Sequence, residues 1–474
     1  MKCRRRVPLL AIGKNYSSKC CGARAPLVSQ ASLIEGAIIE VKYYISNKMQ
    51  RQGFSTKNIE YFERDFLDQT GTIEASSLRI NSLGNLSLYH LKGMPKFWEI
   101  KDTNILNRVM ENIVSGFYEG DIPIIFSAFG GKNGLEIIFG TSDIEKSRLD
   151  NNSQILNSSL TSSLHGLEIS EVDENHLQNK ISEQKYIGLL TGTPSEQSIE
   201  QEKTPDLDIL MRGISDKNCG ITVIAYPMKN QEIINLFSMA LNEVRIILES
   251  ERHSGQENPT VRQYKKLLEK YIEKLQISKS QGLWSTSIFL HADSQGTLNQ
   301  LKAITKSAFS GRNSIPDRIR THQLTETTSL GLIVNPAPPS PGQFKWPYMF
   351  STILNSGDLA QHVKLPGTEL PGFKIKPYVR FNVSPDERDG VEIGEIIDQG
   401  RKIGHTYKVP LKGLKKHGLI VGGTGSGKTN TLFYILRDLL EQDIPFLVLE
   451  PAKTEYRKLL FDDAFRERLQ VFWR

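Results

Sequence analysis

Residues 422–429 read Gly-Gly-Thr-Gly-Ser-Gly-Lys-Thr. The glycines let main-chain N–H groups converge on an anion with no Cβ in the way. Lys428 adds a point charge that can reach β- and γ-phosphates, and Thr429 adds a hydroxyl for Mg²⁺. A helix starting at this point would aim the positive end of its dipole at the same anion. The chemistry implied is the binding of ATP with Mg²⁺. The contact set is Gly422, Gly423, Thr424, Gly425, Ser426, Gly427, Lys428, Thr429 and Asn430, with Thr429 on the metal. Lys428 and Glu450 are the candidate catalytic residues.

Such a loop works only between a strand and a helix. Gly418-Leu-Ile-Val421 reads as a short buried strand. Thr429 to Leu440 reads as an amphipathic helix with Leu432, Ile435, Leu436 and Leu439 on its core face. Pro445 to Pro451 reads as a second buried, parallel strand, which completes a right-handed βαβ unit. Glu450 would then stand at the carboxyl end of that strand, on the edge that carries the loop. Two roles stay open for it: contact with Mg²⁺ or an attacking water, or capping of the next turn. Arg457 is likewise either a surface cation or a contact to a neighbouring subunit or DNA. The sequence stops at Arg474, soon after this unit. Two parallel strands make no stable doubly wound sheet, so the chain looks like a truncated product, and whether it hydrolyses ATP stays open.

Upstream, the fold class expected is α/β and α+β in several domains. Residues 1–29 read as a basic tail. Residues 30–144 form an α+β region, with a helix from Asn104 to Phe117 and strands at Ile122–Phe126 and Leu135–Phe139 flanking a Gly-rich turn. Residues 145–206 are rich in Ser, Asn, Gln and Glu and read as a polar insertion or linker with at most short helices, dispensable for folding. Residues 207–335 return to α+β character, with a strand at Gly220–Tyr226, a strand at Leu283–Leu290 and a helix from Gln295 to Phe309. Two long helices form a hairpin between those strands, the second opened by the Asn258-Pro259 cap. Its Tyr264 and Tyr271 read as packing groups and not as a base-stacking platform. Residues 336–415 read as a Pro-rich linker followed by a small, barrel-like β element. Residues 416–474 are the start of a P-loop parallel sheet.

Composition narrows the function classes. Hydrophobic residues make up 38% and charged residues 24% of the 474 positions, which fits a folded globular chain and excludes an end-to-end disordered one. No window approaches the apolar length of a membrane-spanning helix. The net charge is +6, but Lys2, Arg4, Arg5, Arg6, Lys14, Lys19 and Arg24 hold it. Setting those seven aside leaves 52 basic and 53 acidic residues. Binding to nucleic acid must therefore come from local patches or from assembly. The four cysteines, Cys3, Cys20, Cys21 and Cys219, have no paired CxxC spacing for zinc. Their use fits a reducing, cytoplasmic setting.

With these motifs in view, residues 404–460 resemble the HerA/FtsK superfamily of P-loop ring motors. The likeness lies in Val409 to His417, in the loop itself, and in Phe446-Leu-Val-Leu-Glu-Pro-Ala-Lys-Thr-Glu-Tyr-Arg457. Leu354 to Ala360 and Leu365 to Phe373 resemble the approach segment of HerA-like and conjugation-type ATPases. Gly394-Glu-Ile-Ile resembles a strand of the small barrel before their motor. For residues 30–330 the likeness is architectural only. The resemblance implies a homo-hexameric, cytoplasmic ATPase that moves double-stranded DNA, with a possible partner nuclease. The family's later acidic strand, polar sensor and arginine finger have no counterpart in this sequence. The alternatives are a conjugation or type IV secretion-type ATPase and a non-catalytic nucleotide-binding assembly module.

Overall fold

A mixed sheet is the frame of the larger part of the chain. The computed structural model describes residues 54–97, 104–195, 206–254, 258–311, 314, 316–377, 389–398, 401–451 and 454–472. The basic tail 1–29, and the reading of residues 30–53, lie outside the described residues. Residues Ser55–Arg474 form one unit, and everything below lies within it.

The strands are β1 (Thr72–Ile73), β2 (Ile80–Ser82), β3 (Asn85–Lys96), β4 (Ile124–Phe129), β5 (Glu136–Asp143), β6 (Glu168–Val172), β7 (Tyr186–Thr191), β8 (Cys219–Pro227), β9 (Leu283–Ala292), β10 (Arg320–Leu324), β11 (Gly331–Ile333), β12 (Thr352–Asn355), β13 (Lys374–Pro377), β14 (Val391–Asp398) and β15 (Arg401–Val409). The main sheet runs β1-β10-β7-β9-β8-β4-β5-β3-β13, with β12 added on β9 and β6 on β3. β1 with β10 and β13 with β3 are parallel; the other pairs in this sheet are antiparallel. β4 and β9 are buried at every position, because both faces of the sheet are covered. One face carries Phe126, Phe139, Ile221 and Leu290 under the helices Asn104–Glu119, Asp206–Ile214 and Gln295–Phe309. The other carries Ile125, Ile138, Ile224 and Phe289 under smaller elements, including Leu67, Leu177 and Phe350.

Local signals place several of these elements. Asn258 accepts the Thr260 N–H at 2.9 Å and Pro259 opens the Pro259–Gln281 helix. Ser294 accepts from Thr297 N at 3.1 Å at the head of Gln295–Phe309. Tyr264 and Tyr271 are packing groups: both are buried, and both rings lie edge-on to Phe62. The Tyr264 hydroxyl also donates to Glu243, on the Asn230–Ser254 helix, at 3.0 Å.

Three readings of the sequence are corrected. Residues 146–191 are no polar insertion: they supply the long helix Lys146–Ser163, β6, the helix Glu174–Ser182 and β7, and β7 sits between β10 and β9 inside the main sheet. The polar composition misleads because the helix buries only one sparse row, Leu149, Asn152, Leu156, Leu160 and Thr161, and exposes Ser147, Ser158, Ser162 and Ser163. The proline run at residues 336–341 is no boundary either. It lies between β11 and β12, and β12 pairs with β9, so the chain returns to the same sheet. Nor does the expected barrel-like element close: among the described residues, β14 and β15 form a two-stranded antiparallel hairpin with two register shifts.

Arg64, Asp317 and Arg320 are each 5% exposed or less and join three distant segments. Arg64 Nη1 donates to Asp317 Oδ2 at 2.8 Å and Nη2 to Ser351 O at 2.9 Å; Arg320 Nη1 donates to Asp317 Oδ1 at 3.2 Å. Removing the shared anion would leave two guanidinium groups without it in low dielectric. Asp317→Ala is expected to lower stability by about 3–5 kcal/mol, read as a lower urea midpoint. Leu190, in β7, is 1% exposed. Its replacement by alanine is expected to cost about 2–5 kcal/mol in the same assay; an unchanged midpoint would mean that β7 is dispensable after all.

Candidate functional site

The loop and its helix form as the spacing requires. Gly425 and Gly427 hold φ of +78° and +88°, in the left-handed region. No atom lies within 4 Å of a Cβ built on either one. The demand for glycine there is one of backbone conformation and not of crowding. Gly427 is the N-cap of the Lys428–Glu441 helix, and its carbonyl accepts from Thr431 N at 2.9 Å. The N–H groups of Lys428, Thr429 and Asn430 precede that first intrahelical bond and point toward the loop. They carry the positive end of the helix dipole.

The side chains gather at the same place. Lys428 Nζ donates to Gly422 O at 2.8 Å and Gly423 O at 2.6 Å, so its ammonium is folded over the loop. The half-buried Thr429 turns its hydroxyl to Glu455 Oε2 at 2.8 Å. Glu450 takes the second of its two possible roles. Its carboxylate accepts the N–H of Glu455 at 2.8 Å and of Tyr456 at 3.3 Å, and so caps the Glu455–Phe461 turn. The acid that reaches Thr429 is thus Glu455, which the sequence reading had passed over. An acid followed at five positions by a second acid and an aromatic was the only available signal.

A small core fixes this arrangement. Leu436, Leu459 and Phe465 are buried, with Phe433, Leu439, Phe446, Val448 and Tyr456 packed on them. The Tyr456 ring stands edge-on to Phe433 at 5.3 Å, which ties the turn to the helix. The β14–β15 hairpin docks on the same helix: Glu392 N donates to Asp438 Oδ2 at 2.6 Å and the Tyr434 hydroxyl to Glu392 Oε1 at 3.1 Å.

The two flanking segments differ from expectation. Residues 418–421 and 445–450 have no regular secondary structure and join no ladder among the described residues. Leu419, Val421, Leu447 and Leu449 are 76–85% exposed. A strand needs a hydrogen-bonded neighbour, and the described residues supply none here, although Phe446 and Val448 turn one side of the second segment onto the small core. The expected pair of buried parallel strands is therefore corrected to two unpaired segments, the second covered on one side only.

The loop can cradle a polyphosphate, since it offers converging N–H groups, a mobile ammonium and open space. Thr429 and Glu455 offer only oxygen donors, which match Mg²⁺ in hardness. The junction has the loop and the helix of a P-loop, without a paired strand before it among the described residues. Residues 391–473 match the family model of the central domain of helicase HerA. This segment, and no more of the chain, is similar to the HerA-type P-loop ATPases. No curated protein matches the chain. Among the described residues, no helix is long and apolar enough to cross a membrane.

Gly427→Ala is expected to strain the junction by about 1–2 kcal/mol, because alanine must adopt the left-handed cap. Faster hydrogen exchange at the amides of residues 431–434 would report it, with the main sheet unchanged.

Proposed function

We propose that residues 391–472 form the ATP-binding portion of a HerA-like hexameric DNA translocase or helicase ATPase. One observation carries the reading: Lys428 and the first-turn N–H groups of its helix converge on an open glycine loop. The family description supports it, since that match is to the central domain of a helicase. In this reading Gly422 to Gly427 wrap the phosphates with main-chain N–H groups. Lys428 leaves the carbonyls of Gly422 and Gly423 for the β- and γ-phosphates. Thr429 presents its hydroxyl to Mg²⁺, and Asn430 lies at the edge of the same first turn. The bound metal neutralises charge on the phosphates. In this reading Glu450 holds the backbone of the next turn, since its oxygens accept the N–H groups of Glu455 and Tyr456. Double-stranded DNA, a homo-hexamer and a partner nuclease belong to this proposal through the family. So does a cytoplasmic setting.

A conjugation or secretion-type ATPase is the second reading. It is favoured by the extensive sheet and long helical hairpin ahead of the loop, and by a β hairpin where HerA-like motors have a small barrel.

Calorimetry with ATP and Mg²⁺ tests the site. Lys428→Ala is expected to weaken binding by at least about tenfold, which corresponds to the loss of one charge-assisted contact of about 1.5–3 kcal/mol. Equal affinity in the variant would sink the assignment.

A further inference from the structure

The position of Glu455 deepens the nucleotide reading and rests on it. We propose that Glu455 sets the metal side of the loop by holding the Thr429 hydroxyl, and that Glu450 acts only through Glu455. Both are positioning residues.

The argument begins with what each oxygen does. Thr429 Oγ1 donates its proton to Glu455 Oε2 at 2.8 Å. A hydroxyl whose proton is committed to a carboxylate has its lone pairs turned the other way. In this proposal those lone pairs serve the loop side, where the helix begins at Lys428. A free threonine hydroxyl would sample its rotor positions and could donate into the helix backbone instead. Orientation of a metal-binding oxygen by an anionic hydrogen-bond acceptor is the ordinary work of outer-shell carboxylates.

Glu455 is itself held in place. Its main-chain N–H and that of Tyr456 are received by the two oxygens of Glu450 at 2.8 and 3.3 Å. The Tyr456 ring rests edge-on against Phe433, one turn along the helix that carries Thr429. The path from Glu450 through the turn to Glu455 and on to Thr429 is therefore continuous. It explains why two carboxylates lie close to the loop with only one of them touching it. It also gives Glu450 a role that needs no contact with the metal or with water.

The measurement is ADP binding to the full chain by calorimetry, first in EDTA and then across a MgCl₂ series. ADP separates binding from turnover. Wild type is expected to bind more tightly as Mg²⁺ rises. Glu455→Gln should leave the EDTA affinity within about twofold, yet raise the Mg²⁺ concentration for half-maximal enhancement about 10–100-fold. Glu455→Asp, which keeps the charge on a shorter stem, should fall between. Glu450→Gln should raise the Mg²⁺ requirement less than Glu455→Gln, and the double variant should match Glu455→Gln alone, since one residue works through the other. A Glu455→Gln chain with the wild-type Mg²⁺ requirement overturns the proposal. So does one that loses EDTA and Mg²⁺ affinity equally, because the role is then structural. An additive double variant overturns the dependence of Glu450 on Glu455. Wild type that binds no ADP in either condition overturns the nucleotide reading itself, and this assignment with it.

Discussion

The left-handed turn at Gly427 is the constraint on which the site depends. It ends the loop and begins the helix in one residue. Because the helix starts there, three main-chain N–H groups have no acceptor of their own and face the same open space. That shared need for an acceptor makes the place receptive to phosphate before any side chain is considered. Lys428 then has to sit at the first helical position, and Thr429 at the second. The lysine ammonium donates to the carbonyls of Gly422 and Gly423.

The acidic groups divide their work by position along the turn. Glu450 spends both oxygens on backbone N–H groups, which fixes the path of residues 454–456. Glu455 is left to meet the Thr429 hydroxyl. The small core of Leu436, Leu459 and Phe465 keeps turn and helix at that spacing. The β14–β15 hairpin adds a hydrogen-bonded support on the far part of the same helix.

The larger sheet solves a different problem. Its central strands are buried on both faces, and some of the polar side chains they carry pair with one another inside. Thr222 bridges Ser127 at 3.1 Å and His291 Nε2 at 3.1 Å. Burial pushes the His291 imidazole down to about 3, which keeps it neutral in the core. The charged clasp of Arg64, Asp317 and Arg320 does for chain crossings what the hydroxyls do for the strands.

What the sequence by itself determined was local. The glycine spacing specified the loop, the Asn258-Pro259 pair specified a helix start, and apolar periodicity specified most long helices and the strands around Ile125, Ile224 and Phe289. Each depends on residues within a few positions of one another, so a linear reading finds it. Tertiary structure alone decided which segments share a sheet. β7 looked polar and peripheral because its flanking helix is rich in Ser and Asn, yet its own row from Ile187 to Leu190 pairs with β9 and β10. Burial of that row depends on partners about a hundred residues away. The neighbour of the Thr429 hydroxyl is likewise visible only in the fold. Glu450 and Glu455 both lie near the loop in sequence, and only the folded turn shows which carboxylate faces the hydroxyl of Thr429 and which faces the backbone.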